Sequence, residues 1–245
     1  MLDKIDFVNS LDVNSNLPML DSGRLITSTT DKPSGYIVAG SLVSFVSGIS
    51  AQSQKDVLNS TLLAQLAANK KFNRETQTQA WYEFYRTVLE NVGWTLQGFN
   101  FSRVSASGSS FTADRVVIEL IAALATGDQV TILKATMDAL KKLNDSDGRL
   151  VLFEQGSHSA SKGNFQMAAA QEENEALALT MGAFHFKTTQ NVTRVLWFSY
   201  SSSDTEFYQS GQGMTLNKDV YARVRNAIID KLGDKAERFV AELEI

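Results

Sequence analysis

Two stretches of this chain, Ala176–Lys187 and Val192–Ser201, are apolar on both parities. In the first, Leu177, Leu179 and Met181 alternate with Phe184 and Phe186; in the second, Val195 and Trp197 alternate with Leu196 and Phe198. A strand with one wet face shows polar residues at every second position, so both read as strands covered on two sides. That demands helices above and below the sheet, and the sequence supplies two pairs. In Ser53–Ala68, the residues Val57, Leu58, Thr61, Leu62, Gln65 and Leu66 recur at three- and four-residue steps, with Ser53 as N-cap. After the polar connector Asn69–Glu75, a second stripe runs from Trp81 through Phe84, Tyr85, Val88 and Leu89 to Val92, and Gly93 stops it. Ala113–Ala125 and Asp128–Leu143 form the second pair, with Thr112 and Asp128 as N-caps.

The remaining elements complete the cover. Tyr36–Ile49 is β-branched and aromatic and reads as a strand. Trp94–Val104 alternates as a strand whose phase slips at Gly98, the mark of a bulge. Arg149–Gln155 and Asn164–Gln171 are further expected strands, and Asn217–Glu244 a last helix, broken near Gly233. The expected fold class is α/β of the α+β type: a three-layer α/β/α domain over residues 36–245, behind an irregular arm at residues 1–35. Its sheet is mainly antiparallel, flanked by two helical hairpins and a C-terminal helix.

Composition removes whole classes of chemistry. The 245 residues include no Cys, two His and two Pro, which excludes disulfides, thiol catalysis and cysteine-ligated metals. A net charge of −4 offers no basic field for a phosphate backbone, so no nucleic acid is expected as partner. No stretch reads as a signal peptide or a transmembrane segment, which points to a cytoplasmic protein or one released by a non-classical route.

Few local motifs carry chemistry. His158 and Lys162, in the polar loop Gly156–Gly163, are the catalytic candidates, a base beside hydroxyls; the sequence places no carboxylate next to them. Asp145 and Asp147, with Gly148 and Glu154, copy part of a calcium loop and are the metal candidates. Its first ligand position is Leu143, which has no oxygen to offer, and a turn at Gly148 is the simpler reading. No cofactor and no small-molecule ligand is identified. Ser105–Ser110, between a strand and a helix, lacks a following Gly-Lys-Ser/Thr, and Gly211-Gln-Gly213 lacks a third glycine and reads as a turn. His185, between two phenylalanines, reads as a core or interface histidine; Glu172, Glu173 and Glu175 read as a solvated turn.

The order of elements is similar to that of the Cyt-type cytolysins, a likeness of layout with no shared motif. The resemblance implies helical hairpins covering a sheet that reaches a membrane when they detach. Three functions stay open. The first is a non-enzymatic, membrane-active protein whose partners are lipid and its own copies, and in which Ser53–Val92 has to leave the sheet. The second is a self-assembling or partner-binding protein using the arm and the polar, aromatic segment 199–214. The third is an enzyme whose site is assembled only in the fold.

Overall fold

The computed structural model describes residues 3–13, 17, 19–20, 31–105 and 108–245. Much of the expected arm, and residues 106 and 107 of the loop Ser105–Ser110, lie outside these. Within the arm, Asp3 caps a short helix, α1 (Lys4–Ser10), which packs on the last long helix.

The next run is two strands rather than one. β1 (Ser34–Val38) and β2 (Ser41–Phe45) form a hairpin through Ala39-Gly40, and all ten residues are buried. The turn requires a positive φ of 49° at Ala39, and the only marks of it in the sequence are Gly40 and Ser41. The first helical pair follows: α2 (Ala51–Lys71), capped by Ser50 rather than Ser53, and α3 (Thr78–Val92), ended by Gly93 at φ 114°. α2 is buried almost all round, because α3, the last long helix and the sheet enclose it.

β3 (Trp94–Thr95) and β4 (Ser102–Arg103) are the two ends of the expected bulged strand. Thr95 faces Thr215 and Ser102 faces Gln209, so seven steps on one edge match six on the other. The phase slip is therefore a one-residue insertion around Gly98, whose φ is 106°. β5 (Ser110–Phe111) leads into α4 (Ala113–Ala122) and α5 (Gly127–Lys141). The second cap is Thr126, not Asp128: its hydroxyl accepts from the Gln129 N–H while the Gln129 side chain accepts from the Thr126 N–H.

Residues 148–157 are helical where a strand was expected. In α6 (Gly148–Ser157) the Asp147 carboxylate accepts the Arg149 N–H as N-cap. Gly156 lies against the β1–β2 turn so closely that a Cβ there would fall 2.6 Å from the Gly40 nitrogen. Next come β6 (His158–Ser159), β7 (Lys162–Glu173) and β8 (Ala176–Thr188), the last two joined by Asn174-Glu175 with both φ positive.

The expected strand Val192–Ser201 is mostly irregular. Val195 and Leu196 are buried and Trp197 and Phe198 half-buried, so the apolar run plugs a gap beside the α4–α5 pair instead of joining the sheet. Only β9 (Tyr200–Ser201) pairs, with β5. The strand that takes its place is β10 (Thr205–Leu216), which contains Gly211 and Gly213 and is no turn. α7 (Lys218–Leu232) does break at Gly233, but after the one-turn α8 (Lys235–Arg238) the chain ends in a strand, β11 (Val240–Leu243).

Among the described residues, one sheet runs β11-β1-β2-β7-β8-β10-β3, with β4 on β10 and β6 on β7. The β2–β7 pairing is parallel and the other pairings are antiparallel. α2 and α3, backed by α7, cover one face, and α4 and α5 the other, which makes the three-layer α/β/α architecture.

Candidate functional site

The structure separates the residues singled out from sequence. Asp145 pairs with Arg194 (2.6 Å) and Asp147 with Arg149 (2.8 Å), so two different guanidiniums neutralise them. Among the described residues no group of three or more potential ligands could hold a metal ion. His158 has a carboxylate neighbour that the sequence did not reveal, since α6 brings Glu154 one turn away. Its Nε2 lies 2.8 Å from Glu154 Oε2 and its Nδ1 lies 2.9 Å from the Ser159 carbonyl oxygen. Glu154 Oε2 also accepts the Val195 N–H, which ties the irregular plug to α6. Both ring nitrogens thus face acceptors within the chain, leaving none turned toward a substrate. Lys162 stands opposite Ser159 in the β6–β7 ladder and His158 opposite Gly163, so the two side chains leave the hairpin on opposite faces. Glu172 is not merely solvated: it pairs with Lys218 and accepts the Ser50 N–H at 3.3 Å, and these contacts hold its pKa below the usual carboxylate value against the raising effect of its partial burial.

The arrangement that can do something is the central sheet and its unequal covers. β7, β8 and β10 form an antiparallel meander of 12, 13 and 12 residues. From Gly163 to Gln171, Ala178 to Thr188 and Thr205 to Thr215, every second residue points to the α4–α5 side, and none of these is charged. Phe165, Phe184, Phe186 and Phe207 pack there ring on ring, with Phe165 and Phe184 stacked at 5.2 Å and Phe186 and Phe207 at 5.8 Å. Gly182 and Gly211 leave room for Leu120 of α4 and, at Gly211, for Leu124. The opposite face carries the charged Lys162, Glu172, Lys187 and Glu206 near its strand ends, whereas the α4–α5 face carries Glu173 at the end of β7.

The two covers are anchored differently. On the α2 side, Asp56, almost fully buried, takes two hydrogen bonds from Arg225 of α7, at 2.9 and 2.7 Å. Gln65 donates to the Val38 carbonyl, and the Tyr82 hydroxyl joins Asn164 and Gln166 in a buried polar cluster that Ser41 extends. Burial raises the Tyr82 and Tyr85 hydroxyl pKa well above the usual tyrosine value. On the other side α4 and α5 form a single layer whose outer residues Arg115, Glu119, Lys134 and Asp138 are exposed. Gln129 to the Ala169 carbonyl (2.7 Å) and Ser44 to Thr136 (2.9 Å) fasten it to the sheet. Its tip is apolar and open: Ala122 and Ala123 are exposed, and Leu124 keeps 47% of its surface in solvent.

Sequence reasoning missed β10, and with it this face. The signal was present in the uncharged alternate positions Thr205, Phe207, Gln209, Gly211, Gly213 and Thr215, but only pairing with β8 gives them a common side. The segment 199–214 proposed as a partner surface is for the most part an interior strand.

No protein-family model matches the chain, and no curated protein matches it. Solved structures with some likeness include the Evf virulence factor, at TM-score 0.37 and 14% identity, covering 97% of this chain and 91% of that one. A delta-endotoxin follows at TM-score 0.35 and 12% identity, over 85% and 96% of the two chains. The activated Cyt2Ba monomer from Bacillus thuringiensis subsp. israelensis stands at TM-score 0.35 and 9% identity, over 71% and 96%. At such scores the likeness carries no functional weight.

Proposed function

We propose that the protein is non-enzymatic and acts on membranes, by releasing the α4–α5 pair from the sheet and assembling several copies on lipid. One observation carries the reading: a meander of three strands, each long enough to cross a bilayer, presents beneath a single helical layer a face whose alternate residues are uncharged up to Glu173 at the end of β7. Charged side chains on a lipid-facing surface cost several kcal/mol each near the bilayer centre, so a face without them is what lipid requires. Three strands cannot close on themselves, since the smallest membrane barrels need about eight. Association of copies then satisfies the free edges.

The mobile pair in this reading is α4–α5 rather than Ser53–Val92. Removing α2 and α3 would strip Asp56 from Arg225 and open the Tyr82–Asn164–Gln166 cluster, and unpaired buried polar groups are costly. Removing α4 and α5 breaks neutral hydrogen bonds, Gln129 to Ala169 and Ser44 to Thr136 among them, but no ion pair to the sheet among the described residues, and the apolar surface it exposes is what lipid replaces. The exposed Ala122-Ala123-Leu124 tip is the part placed to meet a membrane first. The anchors of α2–α3 instead hold the polar side of the sheet intact.

A reversible lock tests this. A Cβ built at Gly35 lies 3.0 Å from Thr136 Cβ, slightly inside the span of a disulfide. The double variant Gly35→Cys, Thr136→Cys ties α5 to β1 in a chain with no other thiol. The unmodified protein should release dye from liposomes; the oxidised variant should not, and reduction should restore release. Release by the oxidised form, or none by the unmodified protein, overturns the reading. Stable assemblies in solution without release would favour a structural, self-assembling role.

A further inference from the structure

On the other face, α3, the 96–101 loop and the ends of β8 and β10 enclose an open cleft of about 620 Å³, a volume typical of small-ligand sites. Its walls are aromatic. Tyr82 lies 4.8 Å from both Phe99 and Phe101, Phe101 meets His185 edge-on at 4.7 Å, and His185 stacks on Tyr208 at 4.7 Å. Around the one-residue insertion at Gly98 the chain leaves the β10 ladder between β3 and β4, and there Phe99 and Phe101 pack on Tyr82 of α3.

Two opposite charges stand at the same wall. Glu83 and Arg86 are three residues apart on α3, hence about one helical turn from each other. Glu83 is exposed and accepts a hydrogen bond from Gln79. The Arg86 Nε is buried without a hydrogen-bond partner; its nearest carboxylate oxygen, on Glu90, is 3.5 Å away, a loose ion pair. Gly98 makes room for this guanidinium, since a Cβ there would lie 2.6 Å from Nη1. Desolvation holds the His185 pKa down to about 4, so near neutral pH it adds no positive charge to the cleft.

We propose that this cleft binds a phosphocholine group, with the quaternary ammonium against the open side of the half-buried Phe99, Phe101, His185 and Tyr208 rings, beside Glu83, and the phosphate on Arg86. Aromatic rings attract a quaternary ammonium through their quadrupole, and the ammonium has no N–H that would need a buried acceptor. The Arg86 side chain keeps 42% of its surface in solvent at the cleft wall, so its terminal nitrogens, rather than the buried Nε, are the donors placed to meet a phosphate oxygen. The same chemistry exists as a lipid headgroup and as a free small molecule. The lipid source rests on the membrane reading, whereas recognition of the group does not.

Calorimetric titration of the intact protein with phosphocholine and with choline separates the parts. Phosphocholine should bind saturably. Arg86→Gln should weaken phosphocholine by about tenfold or more and leave choline unchanged, while Tyr208→Leu should weaken both. Arg86→Lys, which keeps the charge, should recover part of the loss, and unchanged thermal melting certifies that each variant is folded. No saturable binding of phosphocholine, or equal binding by folded Arg86→Gln, overturns the proposal. Flotation with phosphatidylcholine and phosphatidylglycerol vesicles then identifies the source. Preference for phosphatidylcholine that Arg86→Gln abolishes means headgroup, and free-ligand binding without that preference means a soluble ligand. Phosphocholine binding without dye release would retain this site and remove the membrane-active reading.

Discussion

Single residues report how far the interior extends. Phe184 is fully buried, stacked on Phe165 in the face beneath α4 and α5, so Phe184→Ala should cost about 3–5 kcal/mol in denaturant unfolding. Trp197 was expected to match it, but it sits half-buried in an irregular segment with Lys141 5.7 Å from its ring. Trp197→Ala should cost less than half as much. His185 gives a pH signature. Burial lowers its pKa from the ordinary 6.5 to about 4, so the unfolded chain takes up a proton before the folded one does. The stability from the neutral ring is complete above about pH 6.5 and is lost as pH falls toward 4. Thermal melts at pH 7 and pH 4.5 should show a smaller drop for His185→Phe, which keeps a ring between Phe101 and Tyr208, than for the native chain.

Among the elements, the four long helices of the two hairpins were legible because their apolar stripes recur at helical steps and polar or glycine residues stop them. Their caps shifted by a few residues, and at α5 the shift has an energetic consequence. Thr126→Ala removes one half of a reciprocal cap and should cost about 1 kcal/mol, whereas Asp128→Ala should cost only a few tenths, the scale of a charge near a helix start. A chemical denaturation series on the two variants orders them. The short run 149–155 is the opposite case: seven mostly apolar residues fit a strand or a buried helix, and the Asp147 cap and the close approach of Gly156 to the β1–β2 turn decide it. β10 escaped notice because its Ser, Gln and Gly resemble a loop until β8 pairs along its length. The candidate face was illegible for the same reason. Lack of charge at alternate positions is visible in one strand, but a shared surface exists only once three strands are in register.

At the scale of the molecule, the sheet is joined by its most distant parts. The parallel β2–β7 pairing connects Ser41 with Gln166, 125 residues apart, and β1 receives β11 from the far end of the chain. The hairpin of β1 and β2, buried on every residue, therefore has no further strand to pair with until β7 and β11 have been made. Closing so long a loop precedes any reward from the contacts it permits, and such topologies fold slowly. A chain ending at Lys141 contains four of the helices that cover the sheet but neither β7 nor β11, and it should show no cooperative melt by circular dichroism. During synthesis, β1 and β2 emerge early and wait, with their hydrogen-bonding edges bare, for partners made last. The ribosome thus hands the cell an adhesive apolar hairpin before it delivers the strands that shield it, so the concentration of unfinished chains sets how much of this protein reaches its fold rather than aggregates.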